Sequence, residues 1–122
     1  MIEIHKAKLC INHSIFLNNY FNISKSGVDY YNQFNISFEF KETYGIRFER
    51  FRISKKQLYE SNYIVFSIQG KEFYIHKSNY FLSKYTFKNN MCYPNSSIIR
   101  KNYIFKTKDI LELRDFIQNI KQ

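Results

Sequence analysis

The 122-residue chain has one proline, three glycines, no tryptophan, a single alanine and two valines. So little glycine and proline, with no low-complexity tract or internal repeat, excludes a collagen-like or linker-rich chain and leaves no place where the sequence would divide. Residues 1–122 therefore read as one domain, long enough for one continuous core and too short for two. Cysteine is scarce as well. Cys10 and Cys92 cannot build a disulfide scaffold, and no CxxC or Cys/His spacing suits zinc, so two buried free thiols in a reducing compartment are expected. No apolar run reaches membrane-spanning length, and the opening MIEIHKAKLC carries charges where a signal peptide needs an apolar stretch. The expectation is a cytoplasmic protein without a membrane partner.

Acidic residues are also few. Ten Asp and Glu face nineteen Lys and Arg, for a formal net charge of +9. The richness in Ile, Phe, Tyr, Asn and Lys reads as the codon bias of an AT-rich genome, but such bias would supply Asp and Glu too, so the imbalance points to a polyanionic partner. From Lys71 to Lys108 the only acid is Glu72, and Tyr80, Tyr85, Tyr93 and Tyr103 are interleaved with the cations. Cations neutralise phosphates without reading sequence, and tyrosines can stack on unpaired bases. Many of these rings must fill the core, so binding is assigned to the cations: Arg47, Arg50, Arg52, Lys77, Lys84, Lys88, Arg100 and Lys101. The plain alternative is a solvated basic surface with no partner.

The pattern is clearest over residues 27–43, GVDYYNQFNISFEFKET. Val28, Tyr30, Phe34, Ile36, Phe38 and Phe40 fall on one parity, with Asp29, Gln33, Asn35, Ser37, Glu39 and Lys41 on the other. Period two with aromatic and β-branched residues predicts extended chain packed on one side and polar on the other, turned into a hairpin at Asn32 and Gln33. A third strand-like run, IRFERFRI, follows Gly45. Ser54 with Gln57 is a capping-box signature and predicts a short helix. Tyr63 to Phe66 suits a strand buried on both faces, and Gly70 with Lys71 turns it into a second strand, Glu72 to His76. Asn89, Asn90, Pro94 and Asn95 mark a loop in the otherwise unassigned residues 77–95. Ser97 to Phe105 reads as a strand. Thr107 is expected to cap a final amphipathic helix whose stripe is Ile110, Leu113, Phe116, Ile117 and Ile120. Residues 2–20 fit either a short helix, which is favoured, or a strand. The fold class is α/β in the α+β sense, a mixed sheet with helices.

The turn has chemical consequences. If it reverses the chain, Asp29 lies beside Glu39 and Lys41 on the neighbouring strand. Two carboxylates held together repel, and a hard divalent cation relieves this by taking an oxygen from each while keeping its waters. Lys41 can then orient or deprotonate the attacking water, or offset charge growing on a phosphate. Those parts suffice for phosphodiester hydrolysis. The competing interpretation is a cross-strand ion pair on a solvated sheet face, with little energetic value. His5, His13 and His76 have no metal spacing, and His76 reads as a surface or packed residue.

The segments SGVDYY and ISFEFKET resemble the PD-(D/E)xK nuclease superfamily, which includes many restriction endonucleases and Holliday-junction resolvases. In that family an Asp at the start of one strand is followed, after a hairpin, by an acidic residue, any residue and Lys. FRISKKQLYESNYIVFSIQGKEFYI is similar to the basic strand, crossover helix, buried strand and hairpin that often follow there, so the likeness covers roughly residues 26–76. It implies a restriction-endonuclease-like mixed central sheet with a short crossover helix. It also implies Mg²⁺ or Mn²⁺ held by Asp29 and Glu39, with Lys41 as the catalytic cation and Glu3 as the acidic residue of an N-terminal helix. The implied substrate is nucleic acid, DNA in preference to RNA, and a homodimer would cut both strands of a duplex. Val28 stands where many members have proline, and the short chain suits a resolvase-like or structure-selective enzyme better than one reading a base sequence. The rival from another class is a basic, non-catalytic phage or mobile-element protein that blocks a nucleic-acid or nucleoprotein complex.

Overall fold

The computed structural model describes residues 27–43 and 50–121. Their order is β1 (Tyr30–Tyr31), β2 (Ser37–Thr43), β3 (Ile53–Ser54), α1 (Lys55–Glu60), β4 (Tyr63–Ile68) and β5 (Glu72–Lys77), then α2 (Ser78–Lys84), β6 (Met91–Cys92), α3 (Ser96–Ile99), β7 (Phe105–Thr107) and α4 (Ile110–Asn119). Five strands form a mixed sheet in the order β1-β2-β4-β5-β7, and β3 pairs with β6 separately. Among the described residues only β2 and β4 pair in parallel, which requires a crossover, and α1 lies within it. The fold is α+β, as the sequence pattern implies. Residues 1–26 and 44–49, and with them the helix-or-strand question at 2–20 and the first part of IRFERFRI, lie outside the described residues.

The sheet is covered on both faces because its central strand is apolar on both. All of β4 is buried, with Tyr63 and Val65 in one core and Ile64, Phe66 and Ile68 in the other. The first core gathers Phe38, Phe73 and Ile75 under Leu113 and Ile117 of α4, so the C-terminal stripe is packing, as its spacing predicts. The second gathers Phe51, Ile53, Leu58, Phe81 and Ile99 from the elements on the opposite side. His76 is fully enclosed there, its ring against Phe66 and Phe81 and its Nε2 2.7 Å from the Ile99 carbonyl.

Several expected details are corrected. The β1–β2 hairpin turns one position later, through Gln33 and Phe34, because Asn32 organises the loop. The Asn32 Oδ1 accepts from the Phe34 and Ile36 N–H groups, Asn35 takes φ 61°, and the Asn32 amide donates to the Ile117 and Ile120 carbonyls at 2.8 and 2.9 Å. Ser97 to Phe105 is not one strand. Asn95 caps a helical turn over Ser96–Ile99, Asn102 adopts φ 56°, and only Phe105–Thr107 joins the sheet. Asp109, not Thr107, caps α4, its carboxylate accepting from Leu111 N–H, while Thr107 Oγ1 accepts from Asp109 N–H. The unassigned stretch 77–95 supplies α2 and β6.

Candidate functional site

β1 and β2 pair as Tyr30 with Phe38 and Tyr31 with Ser37, and one further step of that register sets Asp29 opposite Glu39. The Phe40 N–H donates to Asp29 Oδ2 at 2.8 Å, which fixes the carboxylate against β2. Lys41 follows two residues after Glu39, on the same side of the strand. The hairpin therefore brings Asp29, Glu39 and Lys41 together.

The polar side of β2 does not face water. In the parallel register Glu39 lies beside Ile64 and Lys41 beside Phe66, so these side chains continue a row that is apolar in β4. Glu39 is 5% exposed, and Asp29 and Lys41 are half-buried. An ion pair on a solvated face, the competing interpretation, does not describe this environment. Burial, reinforced by the Asp29 charge, pushes the Glu39 carboxyl up to about 8 against the pull of Lys41. Burial also raises Asp29, opposed by the Phe40 N–H, and lowers Lys41, with Arg52 adding to that effect. The β1–β2 register sets the two carboxyls side by side, and burial favours the protonated form of each, so near neutral pH Glu39 keeps its proton unless a cation takes its place.

One member of the site was missed. Gln57 was legible as the capping-box residue of α1, and its Oε1 does accept from Ser54 N–H at 3.0 Å. Its Nε2 donates to Glu39 Oε1 at 2.9 Å. A single amide thus caps the crossover helix and holds the buried carboxyl. Seeing this required knowing that the crossover lays α1 against β2.

The predicted cations separate into groups. Arg50, Arg52, Lys77, Lys84, Lys88 and Lys101 are exposed. Arg100 is bound to Glu72, with Nη2 3.0 Å from Oε2. Glu72 and Lys77 are the opposite ends of β5, so Arg100 and Lys77 do not share one patch. Arg47 and Glu3 lie outside the described residues.

Mg²⁺ is commonly held by one or two carboxylates, its remaining positions filled by water and substrate phosphate. Among the described residues no three His, Cys, Asp or Glu side chains converge, so an all-protein cage is absent there. Two hard oxygen donors forced together, one of them pushed up to about 8, fit a hydrated Mg²⁺ or Mn²⁺. No protein family, curated protein or solved structure matches the chain. No helix among the described residues is long and apolar enough to cross a membrane.

Proposed function

We propose that this protein is a divalent-cation-dependent nuclease that hydrolyses phosphodiester bonds, with Asp29 and Glu39 as the residues that would hold Mg²⁺ or Mn²⁺. The supporting observation is the convergence of Asp29, Glu39 and Lys41 on one half-buried strand surface, each held or perturbed by named neighbours. When bound, the cation would supply electrophilic activation of the phosphate and of the attacking water. Phe40 N–H and the Gln57 amide orient the two carboxylates so that their free lone pairs are presented together. Lys41 Nζ, its proton loosened by burial, accepts a proton from the attacking water or, while charged, balances the charge gathering on the phosphate. The basic surface supports a nucleic-acid substrate, and DNA is preferred to RNA. Two copies would serve the two strands of a duplex.

Incubation with plasmid, branched DNA and RNA, in Mg²⁺ and in chelator, tests this reading. Metal-dependent cleavage that disappears in Lys41→Ala supports it. Salt-sensitive binding with no cleavage of any substrate refutes it and favours the non-catalytic blocker, a reading the acid-free stretch from Lys77 to Lys108 also suits.

A further inference from the structure

Around β3 and β6 runs a longer antiparallel ribbon. The Arg50–Asn95 bridge, the Phe51 N–H to Pro94 carbonyl bond at 2.9 Å, the pairs Ile53–Cys92 and Ser54–Met91, and the Lys55 N–H to Asn90 carbonyl bond at 2.8 Å all keep one register. Beyond it, Lys88 and Met91 exchange backbone hydrogen bonds of 2.9 and 3.0 Å across Asn89 and Asn90, whose φ values are 53° and 62°. Two left-handed residues in a two-residue loop make the tight turn of a β-hairpin, and asparagine tolerates that conformation best among residues with a Cβ.

The ribbon has two unlike faces. Phe51, Ile53 and Cys92 are buried in the second core and Pro94 is buried opposite Phe51, whereas Arg50, Arg52 and Tyr93 are exposed, Tyr93 by 50%. No Asp or Glu occurs between Arg50 and Tyr59 or between Lys77 and Lys108. The acids of the C-terminal segment, Asp109, Glu112 and Asp115, are on or beside α4, which covers the opposite face of the sheet. Lys108, Arg114 and Lys121 stand among these three acids and balance them, so the acid-free segments carry the surplus of positive charge, and Glu39 and Lys41 point to the side that the ribbon covers. The ribbon also leads directly into α1, whose Gln57 touches Glu39, and Arg52 is near enough to Lys41 for its charge to act there.

We infer that the outer face of this ribbon is a docking surface for duplex DNA, lying in the major groove with Arg50 and Arg52 on phosphates or base edges and Tyr93 beside them. The location relative to the scissile bond rests on the proposed nuclease site; the binding itself does not. Guanidinium forks match phosphate oxygens and the major-groove edge of guanine. The major groove of B-form DNA, about 12 Å wide, admits a two-stranded ribbon. The major groove of A-form RNA is too narrow and deep for side chains to read, which sets the choice of duplex.

The test is binding of a short DNA duplex, and of an RNA duplex of the same sequence, measured in chelator over a salt series. Arg50→Ala/Arg52→Ala is compared with wild type and with Lys101→Ala/Lys108→Ala, which removes two exposed cations off the ribbon. The ribbon variant is expected to lose about tenfold or more in DNA affinity and to lower the slope of log affinity against log salt by about 1 for each arginine that contacts a phosphate, about 2 if both do. The off-ribbon variant should lose less, and the RNA duplex should bind more weakly with little dependence on the ribbon. Equal losses in the two variants, or RNA binding that depends on the ribbon as strongly as DNA binding does, would overturn the inference. Cleavage is scored separately. Ribbon-dependent binding without cleavage removes the nuclease and keeps the ribbon, and cleavage with ribbon-independent binding does the reverse. Thermal melting confirms that these exposed substitutions leave the fold intact.

Discussion

Replacing Glu39 by Gln should make the metal-free protein more stable at alkaline pH and flatten its pH dependence. In the unfolded chain Glu39 ionises near the ordinary glutamate value, whereas in the fold it keeps its proton until about pH 8. The folded state therefore binds the extra proton between those values, and stability falls as pH rises through that window. From pH 6.5, where an unfolded histidine is already half deprotonated, to pH 8 the span is about 1.5 units at 1.36 kcal/mol each, so the expected loss is roughly 2 kcal/mol. For a domain of this length that corresponds to a fall in Tm on the order of 5–10 °C. Urea unfolding in chelator at a series of pH values measures it. A divalent cation should restore stability most at the upper end, where it no longer competes with the proton. A Glu39→Gln variant that keeps the full wild-type slope would refute the argument, because the slope would then belong to another group.

The same physics applies with opposite sign to His76. Its ring is fully enclosed, Nδ1 has no hydrogen-bond partner among the described residues, and burial lowers its proton affinity. The unfolded chain takes up this proton first, so stability should fall as pH drops below about 6.5, at up to roughly 1.4 kcal/mol per unit. Glu39 offsets this limb in the wild type, so it is best measured in Glu39→Gln, where adding His76→Phe should flatten it; an unchanged limb would clear His76. At the candidate site, Gln57→Ala should reduce cleavage by about tenfold or more and weaken cation binding, while Gln57→Glu should preserve the helix cap but repel Glu39. Full activity in both variants would remove Gln57 from the site.

Much of this architecture was legible because it depends on short-range physics. Alternation located β2, the apolar run located β4, and Ser54 with Gln57 marked the start of α1. The spacing of Leu113 and Ile117 gave the buried side of α4. Long-range features escaped. Parity separated Glu39 and Lys41 from Phe38 and Phe40 but did not show that the polar side would also be covered, which follows from pairing with Ile64 and Phe66 across the crossover. Ser97 to Phe105 has the aromatic and β-branched content of a strand, yet Asn95 offers its backbone a cap and a helical turn. The ribbon joins segments 35 to 45 residues apart in sequence, from Lys55 with Asn90 to Arg50 with Asn95, and no local pattern reveals such a pairing.

Asn32 has a consequence for how the protein tolerates change. Its amide grips the carbonyls of Ile117 and Ile120 while its oxygen shapes the bend that carries Asp29 towards Glu39. The last turn of α4 is thereby a buttress for the hairpin, although Ile117 and Ile120 are far from Asp29 and Glu39 in sequence. Shortening that turn would strand a buried amide and loosen the lever on which one carboxylate rides, so damage to the end of α4 would register as a loss of alignment between Asp29 and Glu39.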